Sequence, residues 1–325
     1  MNEIIKTVKL IQPSFGGINL EDISKPKCYK VLETLRNDPE VTIPVFHDDA
    51  QGTATVILAG LLGGLKFVGK DISQVKIAML GVGSANTRTA YLLESAGVNL
   101  KNVTMCDSKG ILTKDRPDIV EQKDYDTFKY DLAQKTNGEG LSGDFGVATK
   151  GADVLISAAK SQPGTIKKEW VSHMAKDSIV YACANPLPEI WPWEAKEAGA
   201  TVVGTGRSDF PNQVNNSLGF PAIFRGALDV RAKTITDEMC VAAAHALCDL
   251  AVKNGLTADY ITPKMDQWEV YPIEATAVGM KAIEQKVAQV EMEEKELYKM
   301  VEERIKHSRN MTNLLMDKEF IKPKA

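Results

Sequence analysis

Apolar residues in this chain fall into short unbroken runs separated by glycine and by stretches of helical spacing, and that alternation predicts the architecture. VKIAML at 75–80, VTMC at 103–106, ADVLISA at 152–158, SIVYACA at 178–184 and TVVGTG at 201–206 have the length and flanks of buried strands. Strands alternating with helical stretches predict an α/β fold, a doubly wound parallel sheet whose ligands sit at the carboxyl ends of the strands. Upstream, residues 2–12 place Ile4, Ile5, Val8 and Ile11 on one side of a short helix or strand. CYKVLETLRN after Pro26 predicts a helix on Cys28, Val31, Leu32 and Leu35 that stops at Asn37-Asp38-Pro39, and VTIPVFH then reads as a buried strand. The run TATVILAGLLGGLKFV at 53–68 is apolar on nearly all sides and contains Gly60, Gly63 and Gly64. It predicts a spine helix joining two lobes, with glycines that allow close backbone approach.

Farther along, residues 114–150 are polar and mixed and predict a helix and loops. Thr236-Asp237-Glu238 opens a helix with Met239, Ala243, Leu247 and Leu250 on one face, where Cys240, His245 and Cys248 are expected only to pack. The last forty residues carry Leu297, Val301, Ile305, Met311 and Leu315 at three- or four-residue steps, an amphipathic helix for this chain or a partner.

Chemistry concentrates in two places. The first is the sequence strand, GVGSAN, helix, strand, Asp107, the context of a dinucleotide-binding βαβ unit in which amides at the helix start hold the pyrophosphate. Gly81 and Gly83 fit the glycine positions, Ser84 and Ala85 open the helix, and Asn86 stands where a third glycine usually packs helix against strand. The bland alternative is a plain βα turn. Asp107 is expected to take the ribose hydroxyls and to favour NAD over NADP, with Lys109 placed to offset a 2′-phosphate. The second place is FGGINLED and PVFHDDAQGTA, which carry Glu21, Asp22, Asp48 and Asp49 beside Phe15, Ile18, Val45 and Phe46. Carboxylates in such surroundings ask for a cation, and hard oxygen donors from two loops suit Mg²⁺ or Mn²⁺. A helix-start pair and a turn would explain the same acids without any metal. Asn185 directly follows a strand end and Asn216 finishes the loop after another; both read either as turn residues or as neutral donors for a substrate carboxylate.

Composition narrows the field. With 325 residues, two lobes are expected; 44% hydrophobic and 25% charged residues are ordinary for a soluble globular protein. Lys+Arg 39 against Asp+Glu 43 gives a net charge of -4 and no electrostatic reason to bind nucleic acid or a membrane. Five scattered cysteines without a C-x-x-C pair predict reduced thiols, and no signal-peptide run or membrane span is read, so a cytoplasmic protein is expected.

FGGINLEDI, PVFHDDAQGTA, the glycine loop, ANPLPEI and FPNQVNNSLGFPAIFRGALD follow one another as in malic enzymes, and the chain resembles the short bacterial and archaeal type over nearly its whole length. The resemblance implies a Rossmann-type NAD domain at 53–325 ending in C-terminal helices, and a remnant of the N-terminal lobe at 1–52 carrying the metal ligands. It implies conversion of malate to pyruvate and CO₂ with NAD(P) and Mg²⁺ or Mn²⁺. Glu21, Asp22 and Asp49 would be the ligands, Asp48 would support a catalytic lysine, Asn185 and Asn216 would hold malate, and Asn185 would also face the cofactor. The family's catalytic tyrosine and lysine precede FGGINLED, and no local residue matches them; Ala222 and AAKSQPG around Lys160 are smaller departures. The expectation is a metal- and nucleotide-binding subunit of a split malic enzyme, homo-oligomeric or joined by a small partner chain, with apolar surface exposed around residues 2–20 and the 53–68 helix. The competing expectations are a noncatalytic NAD sensor or scaffold, and a dehydrogenase of another metal-chelating 2-hydroxy acid such as tartrate.

Overall fold

A computed structural model describes residues 1–322. The chain begins with helix α1 (Asn2–Ile11), strand β1 (Ile18–Leu20), helix α2 (Lys27–Asn37) and strand β2 (Val45–His47), and β1 pairs with β2 in parallel. Val8, Leu20, Val31, Leu32, Leu35 and Val45 close a small core of their own. The strand predicted from VTIPVFH is only three residues long because Pro44 lacks a ladder donor at its start.

From His47 the backbone passes through one π-helical turn, Asp48–Gly52, directly into helix α3 (Thr53–Val68). This composite helix is long and apolar enough to cross a membrane by composition, contrary to the reading of the sequence, yet 78% of its apolar window is buried. It is a core helix. Its glycines face the sheet and the loop beyond it: Gly60 and Gly64 lie against Tyr181, and Gly63 lies against the carbonyl of Ile261. Residues 54–65 are buried throughout, so the exposed apolar surface expected on the spine is confined to Phe67 in its last turn. Residues 1–20 do expose Leu10 and Phe15.

The main sheet is built from β3 (Ile77–Leu80), β4 (Val103–Asp107), β5 (Gly110–Ile111), β6 (Val154–Ser157), β7 (Ile179–Ala182) and β8 (Val202–Thr205), in the order β5-β4-β3-β6-β7-β8. All neighbours are parallel except the short edge strand β5, which folds back on β4 through the Ser108-Lys109 turn. Between the strands run α4 (Ser84–Ser95), α5 (Pro117–Glu121), α6 (Thr127–Lys135), α7 (Phe145–Ala148), α8 (Lys168–Ser172) and α9 (Pro192–Glu197). The strand order reverses between β3 and β6, and a ligand crevice is expected there, beyond the carboxyl ends.

Four helices follow: α10 (Phe220–Asp229), α11 (Asp237–Asn254), α12 (Val270–Glu284) and α13 (Glu294–Asp317). α11 lies on α3 and α12, and the Thr236 side chain caps its first turn as the sequence predicts. His245 does not pack with its neighbours: it is exposed, because it falls on the outer side of α11. Leu297 and Val301 bury the first half of α13, while Met311, Leu314 and Leu315 farther along stand exposed. The five cysteines are free thiols, four of them buried.

Candidate active site

The π-helical turn decides how the acids point. It adds one residue to the first turn of the composite helix, so Asp48 goes inward and Asp49 faces the β1 end. Asp48 is buried, and its Oδ2 accepts a 2.5 Å bond from Asn216 Nδ2, across 168 residues of sequence. Its Oδ1 is buried without a partner and rests on Gly52, where a Cβ would fall 1.9 Å away. Burial, then the negative charges of Glu21 and Asp49, push the Asp48 carboxyl up to about 7; the Asn216 bond offsets part of this. Asp49 Oδ2 accepts a 2.8 Å bond from the amide of Asp22, whose backbone is left-handed at φ 57°. Glu21 Oε1 accepts from Asn19 at 2.6 Å.

Glu21, Asp22, Asp48 and Asp49 are therefore neighbours, drawn from the ends of β1 and β2. Glu21 and Asp22 follow a strand and lie several residues before α2, so they are not a helix-start pair, whereas Asp48 and Asp49 do stand in the first turn of the composite helix, with Asp48 buried. Among the described residues no three His, Cys, Asp or Glu side chains already stand in metal-ligand geometry. Glu21, Asp22 and Asp49 nonetheless suit a hard cation: all are oxygen donors, and the charges of Glu21 and Asp49 lie close enough to Asp48 to add to the effect of its burial.

The glycine loop forms as expected between β3 and α4. Gly81 has φ 97° and abuts the carbonyl of Ala158, so a side chain there would be strained and crowded. Gly83 precedes the first turn of α4, in which Ser84 and Ala85 are half-buried. Asn86 replaces the third glycine by a different device. Its side-chain amide is buried and donates to the carbonyls of Leu80 and Gly81 at 2.8 and 3.1 Å, tying helix to strand.

Asp107 ends β4 as predicted, but its carboxylate is already engaged. Arg116 grips both oxygens, Lys129 Nζ lies at 2.7 Å, and the Lys109 amide donates at 2.8 Å. Burial alone would raise this carboxyl; the bonds from Arg116, Lys129 and Lys109 outweigh it and hold it at about 2. The Lys109 ammonium turns away to Asp118 at 3.1 Å. Arg116 and Lys129 were not singled out in the sequence, and no local spacing marks them, since they reach Asp107 only through the fold.

Asn185 is exposed on the loop after β7 and lines a cleft of about 470 Å³ with Arg207, Gln213, Asn215, Ser217 and Met265. Its partner in that cleft is Asn215 rather than Asn216, which turns to Asp48. Trp191 and Trp193 stack beyond it at 4.9 Å, with Phe210 against both edges.

Residues 50–286 match the family described as malic enzyme, NAD binding domain. The chain belongs to the malic enzyme family. It is 46% identical to the bifunctional malic/malolactic enzyme of Bacillus subtilis over 91% of this chain and 70% of that protein. It is also 46% identical to the NAD-dependent malic enzyme of Geobacillus stearothermophilus over 81% of this chain, but only 52% of that one. The solved Entamoeba histolytica malic enzyme superposes with a TM-score of 0.95 and 46% identity, covering all of this chain and 66% of that structure. Relatives named as NADP-dependent malic enzymes match as well. The chain thus spans 52–70% of the length of the first two relatives, 66% of the solved structure, and 38% and 56% of two NADP-dependent ones.

Proposed function

We propose that this chain carries the cofactor, metal and malate contacts of a malic enzyme that oxidises malate with NAD and releases CO₂. The observation that carries the reading is the Asp48–Asn216 bond, because it joins the acid loops of the N-terminal part to the strand-end loops of the nucleotide domain in one site. Glu21, Asp22 and Asp49 would hold Mg²⁺ or Mn²⁺; when bound, the ion supplies positive charge against the oxyanion that develops on the substrate. Asn185, from its cleft, and Asn216, with the amide hydrogen not given to Asp48, would be neutral donors for the malate carboxylates, and the amides at the start of α4 would take the pyrophosphate.

Asp48 acts as an acceptor. Its unpartnered Oδ1 is where an ammonium donor would dock, which supports a lysine entering from a segment outside the described site. The lysine and tyrosine closest in sequence to the acids are already engaged: Lys25 donates to the Val82 carbonyl at 3.0 Å, and the Tyr29 hydroxyl donates to the carbonyl of Ser84. Acid and base for the proton transfers would come with that further segment, on a small partner chain or a second copy, and its docking would cover Leu10 and Phe15. NAD is preferred through Asp107, although the ion pairs to Arg116 and Lys129 cancel its charge and narrow the margin over NADP.

Calorimetry with Mn²⁺ tests the site directly. Asp49→Ala should weaken Mn²⁺ by at least about tenfold with the circular-dichroism spectrum unchanged. Equal Mn²⁺ affinity in variant and parent would make the carboxylate group structural and end this reading.

A further inference from the structure

The loops after β6 and β7 both belong to the crevice at the strand ends, and one side chain joins them. Glu189 is fully buried, three residues beyond Pro186. Its Oε1 accepts from Ser157 Oγ at 2.7 Å and from the Ala159 amide at 3.0 Å, and its Oε2 accepts from the Ala184 amide at 3.0 Å. Ser157 and Ala159 flank the end of β6; Ala184 precedes Asn185. Ala158 and Ala159 in turn form the wall against which Gly81 packs. From the third strand end, Arg207 donates to the Pro186 carbonyl at 3.0 Å. The glycine loop, the β6 loop and the Asn185 loop are therefore held in fixed relation through one carboxylate that receives three donors.

We infer that Glu189 is a positioning residue for the nicotinamide half of the cofactor, setting the Asn185 loop against the glycine loop without touching the reacting atoms. It rests on the nucleotide and substrate placement proposed above. Asp107 and its cations, at the adenosine end, lie on the opposite side of β3 from β6 and β7, and the bonds of Glu189 to Ser157, Ala159 and Ala184 do not reach them. The two halves of the cofactor should therefore respond differently to a change at this residue.

Glu189→Gln puts an NH₂ group against amide donors that need an acceptor. NADH binding, followed by its fluorescence, should weaken about tenfold, the effect of losing one buried charge-assisted bond, while AMP measured by competition stays within about twofold. Equal weakening of both ligands, or no change in either, overturns the inference. Amide hydrogen exchange on the unmodified chain gives a test that needs no variant: the Ala159 and Ala184 amides should exchange as slowly as the central strands, and loop-like exchange at either one overturns the clamp. Failure of the unmodified chain to bind NADH would instead remove the nucleotide reading, and this inference with it.

Discussion

Gly63 offers the most quantitative test of how the fold supports the site. A Cβ built there lies 2.1 Å from the Ile261 carbonyl oxygen, whereas carbon and oxygen rest at about 3.3 Å. Gly63→Ala must therefore displace α3 or the 261 loop by about 1 Å, and the obstacle is backbone that cannot rotate aside. Overpacking costs about 1–3 kcal/mol, and this contact belongs at the upper end. Against it stands the helical preference for Ala over Gly, about 1 kcal/mol, which leaves a net loss of about 2 kcal/mol. Gly60→Ala is the internal control: its nearest contact is Tyr181 Cζ at 3.4 Å, so the helical preference should dominate and the variant should be neutral or up to about 1 kcal/mol more stable. Urea unfolding of both variants beside the parent reads the difference, expected at about 2–3 kcal/mol. Because α3 continues from the Asp48–Gly52 turn without a break, Gly63→Ala should also weaken Mn²⁺ binding while Gly60→Ala does not. A Gly63→Ala protein as stable as Gly60→Ala would refute the packing argument, whatever happens to the metal.

Two further predictions concern pH. Asp107 has a folded pKa of about 2 against an ordinary 3.8, so it stabilises above about pH 4 and this contribution is lost as pH falls toward 2; Asp107→Asn should cost about 2 kcal/mol at pH 7 and flatten that acid limb, read by urea midpoints between pH 7 and 3. Glu274 has the opposite sign: fully buried with both oxygens unpartnered, its carboxyl keeps its proton well above the ordinary 4.5, so stability should fall as pH rises above that value. Glu274→Gln should remove the fall between pH 5 and 8, and a slope unchanged in the variant would show that another group causes it.

The sheet was legible because each strand is buried on both faces and so reads as a continuous apolar run, from IAML through VVGT. β5 was not, since two residues carry no periodicity, and neither were α10 and α12, whose Pro221 and Pro272 sit in their first turns and interrupt the helical pattern. At the site, residue types were enough to single out Glu21, Asp22, Asp48 and Asp49, because acids among apolar neighbours are costly wherever the fold puts them. What each acid faces was beyond local reading. Asn216 reaches Asp48, and Arg116 with Lys129 reaches Asp107, only through tertiary packing; the spine's burial likewise depends on α11, which lies far along the chain.

The single wide turn at Asp48–Gly52 has a consequence for how this region can change. Removing one residue from it would let an ordinary α-helix run unbroken into α3, with no hydrogen bond of the long helix lost. The same deletion would rotate the two aspartates by roughly 100° about the helix axis, taking Asp48 away from Asn216 and Asp49 away from Asp22. A length change that the scaffold absorbs is thus one the chemistry does not, and the number of residues between His47 and Thr53 is constrained more tightly than the identity of several of them.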